Sequence, residues 1–271
     1  MKKSRILAEV CAAVMILSLT GCGGNGDTDS GMNGAVTDSR AEAAQVMTSS
    51  TEKQGYGQGV EVDDKNRPVG ALDFNRKYGG FDATAIGKEG EKIRLTFDQG
   101  YENGYTAQIL DTLKEKKVQA IFFVVQDYAE RNPELVQRMI DEGHIIGNHS
   151  VTHRSMPTLT AAECAEEIKG LNRYIEENFG VTPTLFRPPM GEFSELSLAV
   201  TKQCGCETML WSYAYADWNV DAQPDPAEAM SKLVGAAHEG AIYLLHSVSS
   251  TNAKILPDLI DQLRAKGFEL Y

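Results

Sequence analysis

Six side chains stand out as groups that could move protons or hold a metal: Asp98, His149, His153, Arg187, Asp217 and His246. His149 and His153 are four residues apart. On a helical turn that spacing brings two side chains to one face, about 5.4 Å apart. Imidazoles so placed can share a divalent metal; a hydrogen-bonded histidine pair has the same spacing. Asp98 is a carboxylate able to take a proton from a metal-polarised water, or to cap a turn at a strand end. His246 can give a proton to a leaving amine, or sit buried under a sheet. Arg187, held before two prolines that stiffen its loop, can pair with Asp98 and keep it ionised, or bridge a loop. Asp217 can orient a histidine or cap a helix. Trp218 can stack on a sugar ring or fill a core.

Something must bring these groups together, and the chain's patterning says what. Short apolar runs recur from about residue 91: Ile93 to Phe97, Ala120 to Val125, His144 to Gly147, Thr184 to Phe186, Thr208 to Ser212, Ala241 to Leu245 and Phe268 to Tyr271. Their length and their Ile, Val, Leu and Phe content predict buried strands. Helical segments lie between them. Thr160 with Glu163 has capping-box spacing, Ile168, Leu171 and Ile175 recur at three and four, and Gly180 is a stop. Ser194, Asp225-Pro226 and Pro133 predict three more helix starts.

Strand alternating with helix predicts an α/β fold with a parallel sheet. Residues 91–271 are short for an eight-fold barrel of about 250 residues, so a smaller, imperfect (β/α) barrel of about seven parallel strands is expected. In such folds chemistry gathers at the carboxyl ends of the strands. Asp98, His149, Arg187, Asp217 and His246 each follow a different run at that end, which core packing does not explain. His144 begins its run and lies at the wrong end; His238 follows a helix and can bond its last carbonyls.

The beginning of the chain predicts export. Lys2, Lys3 and Arg5 precede a mostly apolar stretch from Ile6 to Leu19, interrupted by Glu9, and then Leu19-Thr20-Gly21-Cys22. These are the parts of a secretion signal, and the stretch is shorter than the roughly 20 apolar residues of a membrane span. The residues before Cys22 resemble a bacterial lipobox, which assigns residues 1–22 to a lipoprotein signal and implies that Cys22 becomes the new N-terminus and carries the lipid that anchors the protein to the membrane. Residues 23–60 are rich in Gly, Asn, Asp, Ser and Thr and predict a flexible tether. Residues 61–90 could add a short cap, so that 23–90 precede a domain at 91–271. The remaining Cys164, Cys204 and Cys206 imply no full disulfide framework; small buried hydrophobes are the expected role. A net charge of −12 argues against nucleic acid.

Taken in order, Thr96-Phe97-Asp98-Gln99-Gly100, His149-Ser150-Val151-Thr152-His153, Arg187-Pro188-Pro189-Met190-Gly191, Asp217-Trp218 and Leu244-Leu245-His246 resemble the polysaccharide deacetylases with a NodB-homology domain, carbohydrate esterase family four. The likeness covers nearly all of residues 91–271. It implies a distorted (β/α) barrel and a deacetylase using a divalent metal such as zinc or cobalt. It implies Asp98 as base, His149 and His153 as metal ligands, His246 as acid, Arg187 as the residue that sets the base, and Asp217 as support for His246. Water would attack the acetamide carbonyl, with the metal stabilising the oxyanion. Trp218, Pro188 and Tyr101 are assigned to the substrate.

One position departs from the pattern. The family usually has a second aspartate, a third metal ligand, where this chain has Gln99. A neutral amide binds such cations less tightly, so the metal would be held weakly through Gln99, or mainly by the two histidines and water. The neutral amide, with Tyr101-Glu102-Asn103-Gly104-Tyr105-Thr106 after it, resembles the branch that deacetylates muramic acid in peptidoglycan on the way to the muramic-δ-lactam of spore cortex. Members of that branch usually carry Asn at this place. The alternatives are deacetylation of N-acetylglucosamine in peptidoglycan or a chitin-like glycan, and a lipoprotein that binds glycan without turnover. The implied partners are the glycan strand and, through Cys22, the membrane; no protein partner is implied.

Overall fold

The computed structural model describes residues 44–271; the proposed signal and Cys22 lie outside them. The described chain is an α/β fold built on an eight-stranded sheet. Among the described residues ten strands occur in chain order: β1 (Gln54–Gly55), β2 (Ala83–Thr84), β3 (Arg94–Gln99), β4 (Ala120–Val124), β5 (Ile145–Asn148), β6 (Leu185–Phe186), β7 (Glu192–Phe193), β8 (Glu207–Met209), β9 (Tyr213–Ala214) and β10 (Ile242–His246). The large sheet runs β2-β8-β6-β5-β4-β3-β10-β9, and every pairing in it is parallel. It curls into a half-barrel whose edges, β2 and β9, do not pair with each other.

Six of the seven expected strands form. The seventh, Phe268 to Tyr271, contributes only an isolated bridge between Ile93 and Leu270. Two short strands complete the eight, and one of them, β2, precedes residue 91. The sheet therefore starts inside the segment expected to be tether and cap. Residues 50–60, rich in Gly and polar groups, also pack on the fold: β1 pairs antiparallel with β7, and Tyr56 packs edge-on against Phe74 and Trp211.

Alternation along the strands sorts two cores. Leu95, Phe97, Phe122, Val124, Tyr243 and Leu245 face the surrounding helices, including Thr106–Lys116 and Ser250–Ala265. Ile121, Phe123, Ile242 and Leu244 face inward and meet Phe74 and Tyr78 of the helix Val69–Tyr78. That helix closes the inside of the half-barrel, which is why an early segment is part of the fold.

The helix starts follow their local chemistry. Thr160 Oγ1 accepts from the Glu163 N–H at 3.3 Å, and Glu163 Oε2 accepts from the Thr160 N–H at 2.9 Å, opening Ala161–Phe179. Gly180 ends that helix at φ 72°, a conformation that favours glycine. Ser194 forms a second capping box with Ser197, and Asp225 Oδ1 accepts from the N–H groups of Ala227 and Glu228. The helix expected after Pro133 spans Pro133–Asp141.

Candidate active site

The register of the sheet sets the first contact. Asp98 on β3 is the direct partner of His246 on β10 and of Phe123 on β4. Asp98 and His246 thus stand side by side on the inner face at the carboxyl ends of their strands. Arg187 follows β6 and is fully buried. Its Nη1 donates to Asp98 Oδ1 and to Thr96 Oγ1, each at 2.8 Å. Its Nε and Nη2 donate to the carbonyls of Met209 and Leu210, each at 3.0 Å. The guanidinium stacks over the Phe123 ring, 4.1 Å from its centroid. Four acceptors and an aromatic face hold this cation in one orientation.

Burial opposes the charge on Asp98, but Arg187, then His149 and His246, outweigh it and hold its pKa below the ordinary value. Asp98 is therefore an ionised carboxylate at neutral pH. Its second oxygen, Oδ2, lies 3.5 Å from His149 Nε2.

His149 follows β5. Its Nδ1–H donates to the Arg187 carbonyl at 2.7 Å, since a carbonyl can only accept. That bond leaves the lone pair on Nε2. Burial depresses its pKa to about 4, so the ring is neutral at pH 7. His153 is its neighbour, with ring centroids 4.9 Å apart and planes at 75°. No helix joins them, contrary to the expectation from their spacing. Ser150 at φ 72° and His153 at φ 55° turn the chain back on itself, and Ser150 Oγ accepts from the His153 N–H at 2.9 Å. Met190, at φ 59°, is a third left-handed non-glycine residue at this site. Strained backbone gathers where side chains must be aimed.

On the other side, Asp217 is fully buried. Its Oδ1 accepts from His246 Nδ1 at 2.7 Å, and its Oδ2 accepts from the His246 N–H at 2.8 Å and from Asn252 Nδ2. Tyr215 Oη donates to Asn252 Oδ1. Burial disfavours the His246 cation, but the hydrogen bond and charge of Asp217 outweigh it and raise the pKa above the ordinary value.

These groups border a cavity of about 480 Å³, lined by Asp98, His149, His153 and His246 together with Trp211 and Trp218. Tyr101 and Met190 also border it and are half exposed. Pro188, expected at the substrate, is buried behind the wall; Met190 and Gly191 of its loop reach the cavity instead. Gln99 is fully buried and does not line the cavity. It follows Asp98 on a pleated strand and so turns to the other face, where its Nε2 donates to Ser247 Oγ. Its Oε1 has no partner among the described residues.

His149 Nε2 carries a lone pair and faces a carboxylate oxygen at 3.5 Å, an arrangement that a cation relieves. His153 offers a second imidazole beside it. Among the described residues no group of three His, Cys, Asp or Glu side chains is arranged to hold a metal. The residues fit a site of two imidazoles completed by water, with the unpaired oxygen of Gln99 turned away from the cavity.

The polysaccharide deacetylase family matches residues 86–209. The peptidoglycan-N-acetylmuramic acid deacetylase PdaA of Bacillus subtilis is 44% identical over 190 residues, 69% of this chain and 72% of that protein. The chain belongs to the polysaccharide deacetylases. The solved structure of the same PdaA, a family 4 carbohydrate esterase, superposes with a TM-score of 0.77 at 39% identity, covering 82% of this chain and 95% of that one. The peptidoglycan-N-acetylglucosamine deacetylase PgdA of Listeria monocytogenes is 32% identical over 182 residues, 67% of this chain but 38% of that protein. This deacetylase is accordingly a hydrolase of the polysaccharide and peptidoglycan class, from a family that is generally metal-dependent. Both of these relatives are named for action on peptidoglycan. No helix among the described residues is long and apolar enough to cross a membrane.

Two groups carry roles that their sequence context did not announce. Asn252 lies in the first turn of the helix Ser250–Ala265, where a polar residue reads as part of a cap; it also binds Asp217 and, at 3.2 Å, the His246 carbonyl. Trp211 follows β8 at the carboxyl end, as the catalytic candidates follow their strands, and that position was the available signal.

Proposed function

We propose that this deacetylase removes the acetyl group of N-acetylmuramic acid in peptidoglycan whose stem peptides have been trimmed, the step before muramic-δ-lactam forms in spore cortex. The observation that supports turnover best is the pairing of an ionised Asp98 with a His246 of raised pKa across one strand register. The support for muramic acid is the 44% identity to a relative named for that sugar, with a neutral amide at position 99.

In this reading Asp98 takes a proton from the attacking water through Oδ2, the oxygen that Arg187 leaves free. Arg187 keeps that carboxylate charged and stops it from rotating. His246, protonated through its bond to Asp217, gives a proton from Nε2 to the departing amine. Acetate and a free sugar amine result. His149 and His153 would hold a divalent cation such as zinc or cobalt, which when bound supplies polarisation of the water and of the acetamide oxygen. Trp218 and Tyr101, exposed at the rim, flank the sugar. Cys22, lipidated, would place the enzyme on the outer face of the membrane, beside its substrate.

The test is incubation of the full-length chain with amidase-trimmed peptidoglycan, with added divalent metal or with chelator. Mass spectrometry then locates the lost acetyl group. Loss from muramic acid, sensitive to chelator, is the expected result. Loss from glucosamine alone would move the substrate, and loss from neither sugar under any metal would overturn the enzymatic reading.

A further inference from the structure

We propose that residues 50–60 are a working part of the active site, with Gln58 as a positioning residue that sets the angle of the Trp211 indole against the bound sugar. The inference rests on the reading of the cavity as the amino-sugar site.

Trp211 lines the cavity yet is only 8% exposed, so most of its surface is held by protein. Residues 50–60 supply much of that hold. Gln58 Oε1 accepts from Trp211 Nε1 at 3.0 Å, from 153 residues away in the chain. Tyr56 Oη donates to the Trp211 carbonyl at 2.6 Å. The Tyr56 ring meets the indole edge-on, with centroids 5.2 Å apart and planes at 81°. On another side the indole touches Gly191, where an added Cβ would lie 2.7 Å from Trp211 Cη2. The ring is thus clamped between the early segment and the loop that follows Arg187.

The clamp is itself anchored. The Tyr56 N–H donates to the Gly191 carbonyl, and the Leu196 N–H to the Ser50 carbonyl, each at 2.9 Å. Gln58 Nε2 donates to the Ala214 carbonyl at 3.3 Å. Gly70 lets the helix Val69–Tyr78 approach so closely that a Cβ there would lie 2.5 Å from the Gln58 carbonyl oxygen. The amide of Gln58 is therefore used at both ends, one on the indole and one on the backbone of β9. An indole has a donor and no acceptor, and a buried donor without a partner is costly. Gln58 resolves that cost in the ring orientation that presents the indole to the cavity.

The experiment compares Gln58→Leu, Gln58→Glu, Trp211→Phe and the double variant Gln58→Leu/Trp211→Phe in the full-length chain. Amidase-trimmed peptidoglycan oligosaccharides are the substrate. The expected result for Gln58→Leu is a KM raised about three- to tenfold, the scale of one hydrogen bond. Its kcat should change by less than about twofold, and its indole emission should shift. Gln58→Glu, which keeps the acceptor for Trp211 Nε1 but sets a carboxylate oxygen against the Ala214 carbonyl, should restore only part of the KM. In the Trp211→Phe background, Gln58→Leu should add nothing, because the group it serves is gone. A KM unchanged in Gln58→Leu would overturn the inference, and so would the same KM penalty with and without the indole. Absence of turnover in the unsubstituted chain would defeat the enzymatic reading separately. Titration of the same oligosaccharides against indole emission then decides: weaker binding by Gln58→Leu upholds the positioning role, and equal binding ends it.

Discussion

Asp98 and Asp217 are both buried carboxylates at the same end of one sheet, and their surroundings give them opposite work. Asp98 spends one oxygen on Arg187 and leaves the other toward the cavity. Asp217 spends both oxygens on His246 and Asn252. A carboxylate with a free oxygen can take a proton itself; one whose oxygens are all engaged acts through its neighbour. The histidines follow suit. His149, whose Nδ1 meets only a carbonyl, is driven down to about 4 by burial. His246, whose Nδ1 meets a carboxylate, is driven up despite burial. In the proposed reading, one hydrogen-bond partner separates a metal ligand from a proton donor.

The sharpest break in this comparison is Asp98→Asn. Loss of the general base should lower kcat by about 10²- to 10⁴-fold. It also strands the fully buried Arg187, so stability should fall by about 3–5 kcal/mol, read by chemical denaturation. Asp217→Asn should do less to the fold and more to the pH profile. As the proposed acid, His246 must be protonated, so activity should be present below its raised pKa and fall as pH rises through it. Without the carboxylate that limb should move to lower pH, with kcat down about 10²-fold at neutral pH. The acid limb, set by Asp98, should stay below the ordinary carboxylate range in that variant, because Arg187 is untouched.

His149→Ala tests the metal side. Zinc or cobalt affinity, measured by calorimetry, should fall at least about tenfold, the least seen when support for a ligand is lost. His246→Ala should leave that affinity close to the parent's, because His246 serves the leaving group. Equal losses in the two would erase the division between the histidines. Trp218→Ala should have the smallest effect. It removes one exposed aromatic face worth about 0.5–1.5 kcal/mol, so KM should rise a few fold while kcat holds.

The reach of the sequence differed sharply between elements. Thr160, Ser194 and Asp225 were legible as caps because capping is a local exchange between a side chain and the next turn. The six inner strands were legible because burial on both faces demands continuous apolar runs. The edge strands, β2 and β9, were not, since each is two residues long and, unlike β6, contains no Ile, Val, Leu or Phe to mark a run. Residues 50–60 read as a tether because Gly55, Gly57 and Gly59 with polar neighbours resemble a linker. The packing of Tyr56 on Phe74 and Trp211 is long-range and leaves no periodic mark. The spacing of His149 and His153 suggested a shared face, yet the face arises from two left-handed residues and not from a helix.

By itself the sequence determined the alternation of strand and helix, the order of the five motifs and the chemical types of the groups that end the strands. Those are set by local propensity and by side-chain identity, which need no partner. The tertiary structure decided which of those groups meet. The register that makes Asp98 and His246 neighbours comes from pairing β3 with β10 across most of the domain. The pleat turns Gln99 from the cavity while its neighbour Asp98 faces it, and an early polar segment becomes the clamp on Trp211. Each is a contact between residues distant in the chain, fixed by how the sheet curls and not by any stretch of residues alone.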